Sequence, residues 1–403
     1  MGRIIVHTSE PSSGAARYVS ELVAGLAANH VNVTLFCPPT FDQLGRVRSS
    51  GAAVSFAAHR STERGSFLSR VARNLKFLIG TALRQLRTTG PGDILHVQFP
   101  LYFPAGLAFF LLARLRRCEI VFTVHDPLPH KWLLPTRLRS LEWAMVRWAY
   151  GLSDKLIVHN ETGRNVLVER FRQSPGKIAV IPHGPFAATQ RVDDAPRGEF
   201  KLLLFGGIRE NKGVHLAIQA VQSINARTAV ARAAVQVQLT IAGAAANARE
   251  QSYWERCLSM IAERPAGIRV VDRYIEDGET ASLIAEHHAL LLPYLGFTSE
   301  SGVAALALAN RRPIIATRAG GLGTILDQCD CGVAIEANSA EGVAEAIVRA
   351  REAAPDVLRQ MGEAGARFME SGRSWTEIAR RTLALYREMH GAREARQPAG
   401  AGN

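Results

Sequence analysis

The chain has 403 residues, enough for about two domains, and a composition of 47% hydrophobic and 21% charged residues excludes a disordered or fibrous protein. Its five scattered cysteines, without a CxxC pair, signal neither a disulfide framework nor a metal site, which fits a reducing cytosol. The net charge of +12 is concentrated in the first half: residues 1–195 carry 24 Lys and Arg against 13 Asp and Glu, and residues 196–403 carry 24 against 23. The basic half should therefore face something anionic, and a nucleic acid, a membrane surface or a phosphorylated lipid would each serve.

Residues 2–7 lead straight into a strand-like run, without the basic region and apolar core of a secretory signal. Strands are predicted at 3–7, 32–37, 94–98, 120–124, 155–159 and 177–181, with helices between them such as 15–28 after the loop PSSG. The longest apolar stretch, 104–113, falls short of the ~20 residues that span a bilayer. Residues 66–87 combine Phe67, Leu68, Val71, Leu75, Leu78, Ile79, Leu83 and Leu86 at helical spacing with Arg70, Arg73, Lys76, Arg84 and Arg87. A basic amphipathic helix of this kind can lie on an anionic bilayer, or it can bury its stripe against the protein. Trp132, Trp143 and Trp148, among Arg137, Arg139 and Arg147, extend the same theme, and with the basic first half they favour the membrane surface.

Residues 190–198, rich in Asp, Pro and Arg, predict a linker, after which the alternation restarts with strands at 201–205, 236–242, 268–271, 289–293 and 313–317. The fold class expected is α/β, two Rossmann-like doubly wound domains facing a cleft. The first domain spans 1–189 and the second spans 199–374. A helix at 375–390 packs back on the first domain, and 391–403 form a disordered tail. Ligands of such sheets bind beyond the carboxyl ends of the strands, so chemistry is sought in those loops.

The segment FGGIRENKG follows a buried strand with Gly206 and Gly207, which let a backbone approach closely, and then presents Arg209 and Lys212. Two such cations can clasp a diphosphate; the plain alternative is a strand-to-helix turn with solvated cations. Glu300, Ser301, Gly302 and Val303 precede or open a helix whose unpaired N–H groups could hold phosphate, although a Ser-Gly is more often an ordinary N-cap. Gly14, in PSSGAARYV, lacks the companions of a dinucleotide fingerprint, which argues against a nicotinamide cofactor but allows approach to sugar or phosphate. His125 lies just past a strand, where its imidazole could hydrogen-bond a sugar hydroxyl; Asp126 could orient it or bind an acceptor, and His130 is an acceptor-side candidate. His183-Gly184 closes the last strand before the linker as a cleft-lining turn or a structural corner.

These segments, in this order, resemble the family-4, group 1 glycosyltransferases of GT-B fold, from the Gly14 loop through LPY…SGV…RPIIATRAGGL to the terminal helix. The resemblance implies a retaining transferase that uses a nucleotide-diphosphate sugar without a metal or other cofactor and builds polysaccharide or lipid-linked glycans. It implies that Lys212, with Arg209 as stand-in, holds the diphosphate, that His125 contacts the donor sugar and that Gly14 lets the backbone approach it. Two positions depart from the family pattern. Gly207 stands where an arginine is usual, and Thr298 and Leu306 stand where the paired glutamates belong, which is the pattern of a variant subgroup. The partners expected are a nucleotide sugar, a glycan or lipid-linked acceptor and an anionic membrane surface, at a cytoplasmic location and without nucleic acid. The alternative is a catalytically degenerate GT-B protein that binds a sugar nucleotide or a partner; an epimerase or phosphorylase on the same fold is a further rival.

Overall fold

The computed structural model describes residues 2–60, 66–101, 105–128, 135–186, 199–230, 237–265 and 267–394. The predicted linker at 190–198, His130 and Trp132 lie outside them. The described residues fall into two compact units, one from Met1–Pro182 with Trp375–Asn403 and the other from His183–Ser374.

The first unit is built on a seven-stranded parallel sheet of β1 (Ile4–Thr8), β2 (Val33–Cys37), β3 (Ala53–Phe56), β4 (Ile94–Phe99), β5 (Glu119–Thr123), β6 (Lys155–Val158) and β7 (Ile178–Val180). The spatial order is β3-β2-β1-β4-β5-β6-β7. β1 and β5 are buried along their whole length, as strands covered on both faces must be. The second unit carries a six-stranded parallel sheet of β8 (Phe200–Phe205), β9 (Val237–Gly243), β10 (Ile268–Asp272), β11 (Ala289–Leu292), β12 (Ile314–Thr317) and β13 (Gly332–Ile335), in the order β10-β9-β8-β11-β12-β13. In both sheets the strand order reverses beside the first strand, between β1 and β4 and between β8 and β11. Such reversals open a crevice at the carboxyl ends, where ligands of open α/β sheets bind.

Helices form where apolar positions recur every three or four residues behind a polar cap. Helix Ser13–Ala27 buries Ala16, Val19, Leu22, Val23 and Leu26. Asn160, Asn247 and Ser339 each cap a helix with a side-chain oxygen that accepts a backbone N–H, worth about 1 kcal/mol apiece. Leu202, Leu204, Val221, Leu239 and Trp254 centre the core of the second unit, and Ile120, Phe122, Leu156, Phe110 and Phe171 that of the first. Burying side chains of this size stabilises by about 1.5–3 kcal/mol each.

The structure differs from expectation at four places. β3 and β13 were not anticipated: both are four-residue edge strands, only partly buried, without a long apolar run. Helix Ser13–Ala27 begins two residues early, behind Ser12, so Gly14 sits exposed in its first turn and not in a loop. The terminal helix, Trp375–Glu394, runs four residues past 390 into the predicted tail. Ala392, Arg393 and Glu394 are strong helix formers, and one interior glycine, Gly391, costs only about 1 kcal/mol. Trp143 does not face outward: its ring stacks on Phe171 in the core, with centroids 4.5 Å apart.

Candidate functional site

In the second unit the chain leaves β8 through Gly206, at φ 107°, and Gly207, makes a short turn over Glu210–Lys212 and enters helix Val214–Val230. Gly213 joins turn to helix at φ 64°, and any Cβ there would strike the carbonyl of Pro293, just past β11. The Leu295 N–H donates to the Asn211 carbonyl at 2.8 Å, which ties the turn to the segment after β11. Lys212 is thereby held with its Nζ 3.7 Å from the centroid of the Tyr294 ring and 5.8 Å from that of Phe297. The Arg209 guanidinium lies over Gly207, its Nε 3.7 Å from where a Gly207 Cβ would be, so it fills space at the position of the family's usual arginine. Glu250, itself half-buried, steadies the exposed Arg209 from 3.6 Å.

The predicted helix start lies beside this turn. Val303 Cγ2 stands 3.5 Å from where a Gly206 Cβ would be, so Gly206, Gly207, Arg209, Lys212 and the start of helix Gly302–Ala309 gather at one end of the sheet. Ser301 caps this helix, its Oγ accepting the Ala304 N–H at 3.2 Å, so the hydroxyl serves the fold and the N–H groups of Gly302 and Val303 head the helix. Helix N-termini of this kind favour anions. Glu300 departs from expectation. Its carboxylate turns inward to the Arg373 guanidinium at 3.4 Å, with the two side chains 3% and 6% exposed, and rests against Gly321, where a Cβ would collide with it. Leu306, 6% exposed, offers no polar atom.

In the first unit His125 follows β5, clamped between rings. Phe99 stacks on it at 4.2 Å and Tyr18 meets it edge-on at 4.7 Å. Gln98 Oε1 lies 3.1 Å from its Nε2, and His159 Nε2 lies 3.0 Å from its Nδ1. Both ring nitrogens are thus engaged inside the unit, whereas the sequence had suggested one turned to a sugar hydroxyl. Asp126 is half-buried beside Tyr150, whose hydroxyl pKa is pushed up by burial and then by the Asp126 charge. His183 belongs to the second unit, where it packs edge-on against Phe186. Beyond β1–β3 a cavity of about 190 Å³ is walled by Phe36, Pro38 and Phe77 with His7, His59 and Arg60. Burial lowers the His7 pKa to about 4, so that ring is neutral at ordinary pH. Among the described residues no group of three or more His, Cys, Asp or Glu is placed to hold a metal.

Residues 12–185 match the model of Glycosyltransferase Family 4, and residues 199–352 match that of Glycosyl transferases group 1. The chain belongs to the family-4, group 1 glycosyltransferases. Among its curated relatives is the D-inositol 3-phosphate glycosyltransferase of Arthrobacter sp. (strain FB24), 25% identical over 94% of this chain and 93% of that protein. Sucrose-phosphate synthase from Thermosynechococcus elongatus superposes with a TM-score of 0.76 at 18% identity, covering 97% of this chain and 100% of that one. HepE of Anabaena, solved in complex with UDP-glucose, gives 0.68 at 14% identity, covering 96% and 100%. With the two parallel sheets, these likenesses give this glycosyltransferase the GT-B fold, two Rossmann-like domains.

Four residues around His125 escaped the sequence reading: His96, Gln98, His159 and Tyr386. His96 and Gln98 are two apart on β4 and so share one face of the sheet, a signal the HVQF run does contain. Nothing local marks Tyr386, which comes from the transferase's terminal helix.

Proposed function

We propose that the transferase is a retaining hexosyltransferase that moves a sugar from a nucleotide-diphosphate donor to a glycan or lipid-linked acceptor, without a metal ion. The observation that carries this reading is Lys212, held over the Tyr294 ring at the same end of the sheet as Gly206 and the start of helix Gly302–Ala309. In the reaction the bond from the anomeric carbon to the diphosphate oxygen breaks, and the acceptor hydroxyl oxygen bonds to that carbon on the same face. The hydroxyl proton leaves with the departing diphosphate. Negative charge grows on the diphosphate as it departs, and Lys212, Arg209 and the helix start are the groups that would meet it; such preorganised stabilisation is often the largest catalytic contribution. The likeness to HepE, solved with UDP-glucose, supports a uridine nucleotide, and the family habit supports retention. Gly14 and His125 are assigned to the donor sugar, and Asp126 and the cavity beyond β1–β3 to the acceptor. Glu300 is assigned a supporting role, shaping the loop before Ser301. The test is a thermal-shift screen against nucleoside diphosphates and their sugars. UDP-sugars should raise the melting temperature and be hydrolysed slowly without acceptor, and a flat response to every nucleotide would overturn the reading.

The same enzyme is proposed to work on an anionic membrane surface at the cytoplasmic face. Helix Phe67–Thr88 keeps Phe77, Leu78 and Leu86 partly inward, yet leaves Val71, Leu75, Ile79 and Leu83 47%, 56%, 52% and 50% exposed, one above the other. Leu111 and Leu115 on the next helix and Leu141 and Trp148 on the one after are exposed too, and Lys76, Arg87, Arg117 and Arg147, on or just past the same helices, are exposed with them. Apolar and cationic side chains together complement an anionic lipid surface. Among the described residues no helix is long and apolar enough to cross a membrane. The protein should sediment with phosphatidylglycerol vesicles and not with phosphatidylcholine alone, and Leu75→Asp with Ile79→Asp should cut that binding about tenfold or more. Equal binding to both vesicles, or to neither, removes the lipid surface from the reading.

A further inference from the structure

We propose that Gln98 is a positioning residue for His125, and that one directional chain of hydrogen bonds, from the Tyr386 hydroxyl to the Ile181 carbonyl, holds the His125 imidazole neutral with its proton on Nδ1. The functional consequence rests on the donor-side role of His125; the chain itself does not.

The links run through the first unit. Tyr386 Oη lies 2.5 Å from His96 Nδ1. His96 Nε2 lies 2.8 Å from the Gln98 amide and 2.7 Å from Thr123 Oγ1. The other end of that amide lies 3.1 Å from His125 Nε2, His125 Nδ1 lies 3.0 Å from His159 Nε2, and His159 Nδ1 lies 2.9 Å from the Ile181 carbonyl. A carbonyl only accepts, so His159 donates from Nδ1, and a neutral His159 must accept at Nε2. His125 must then donate from Nδ1 and accept at Nε2. The group facing Nε2 has to be the Gln98 NH2, which a half-turn of the carboxamide supplies, since its oxygen and nitrogen exchange places. The Gln98 oxygen then accepts from His96 Nε2–H, shared with Thr123, and the bare His96 Nδ1 accepts from Tyr386. Every link has one donor and one acceptor, and no ring is charged.

The opposite amide orientation leaves His125 Nδ1 and His159 Nε2 facing each other at 3.0 Å without a proton, unless one ring becomes an imidazolium. A cation there is disfavoured. His96 and His159 are 1% and 5% exposed, and burial already lowers the His96 pKa to about 3. A ring nitrogen's partner fixes the tautomer of the other nitrogen, so the Gln98 amide at Nε2 and the His159–Ile181 link at Nδ1 together hold the His125 proton on Nδ1.

The experiment uses the full chain labelled with 15N-histidine, with imidazole nitrogens correlated to ring carbon-bound protons at pH 7.5; His125→Asn identifies the His125 signals. The wild type should show the neutral Nδ1–H tautomer. Gln98→Glu, which can only accept, should add a proton at Nε2, so that the neutral Nδ1–H signature gives way to a doubly protonated ring, and lower kcat about ten- to a hundredfold with little change in KM for the donor. Tyr386→Phe keeps the ring packing but loses the donor to His96, so His96 should show both neutral tautomers while His125, still tied through His159 to the Ile181 carbonyl, stays Nδ1–H; this covers the case in which Gln98→Glu does not fold. A wild-type His125 that is Nε2–H or doubly protonated overturns the chain, as does a His96 that keeps its single wild-type tautomer in Tyr386→Phe. The two readings fail separately. An Nδ1–H signature together with full transfer by His125→Asn would sink only the donor-side role, and a missing signature together with an inactive His125→Asn would sink only the chain.

Discussion

Lys212→Ala is expected to lower kcat/KM for sugar transfer about a hundredfold or more while leaving the fold intact. The Nζ lies over one aromatic face and near another, a contact worth about 0.5–1 kcal/mol to stability at an exposed site, so its loss is tolerable. Transition-state charge on the leaving diphosphate has no such substitute. Arg209 is the nearest other cation in sequence, but its guanidinium is drawn toward Glu250. Lys212→Arg should recover part of the activity, because the charge returns, although a planar fork does not reproduce a compact ammonium over a ring. Steady-state transfer with the donor found by the nucleotide screen, beside a melting curve, provides the check. Near-wild-type turnover by Lys212→Ala would remove Lys212 from the diphosphate site.

Arg373→Met should be the most destabilising single change near that site. It strips the partner from the Glu300 carboxylate, which is 3% exposed, and breaking a buried pair this way costs about 3–5 kcal/mol. For a unit of this size that corresponds to a fall in Tm of roughly 10 °C. Replacing both charges, Glu300→Gln with Arg373→Met, should be less harmful than the single change, because no uncompensated charge stays inside. Calorimetry on the three proteins decides the matter. A single variant within about 1 kcal/mol of wild type would show that the pair is solvated in solution and does not shape the loop.

Much of the fold was legible because parallel strands covered on both faces must be continuous apolar runs, as at 120–124 and 289–293. β3 and β13 were not, since an edge strand that is half exposed needs no such run. The site was legible where its parts are adjacent in sequence: Gly206, Gly207, Arg209 and Lys212 fall within one turn behind β8, and Ser301 immediately precedes its helix. It was not legible where tertiary structure chose the partner. Arg373 meets Glu300 across 73 positions and Tyr386 meets His96 across 290, and no local pattern encodes either encounter. Glu300 illustrates the difference: its place before the helix suggested a ligand contact, but a carboxylate beside a buried guanidinium is held by it.

The return of the terminal helix to the first unit carries a consequence for biosynthesis. Trp375 packs on Tyr18 with ring centroids 5.0 Å apart, and Lys155 bonds Glu388 at 2.7 Å. A ribosome therefore synthesises all of residues 183–374 before the last piece of the first unit exists. The second unit has all of its residues once 374 is made, and the first must wait for the helix that begins at Trp375. His96, although made early, acquires its Tyr386 partner only then. A fragment ending at residue 374 should therefore hold a complete second unit beside an unfinished first one.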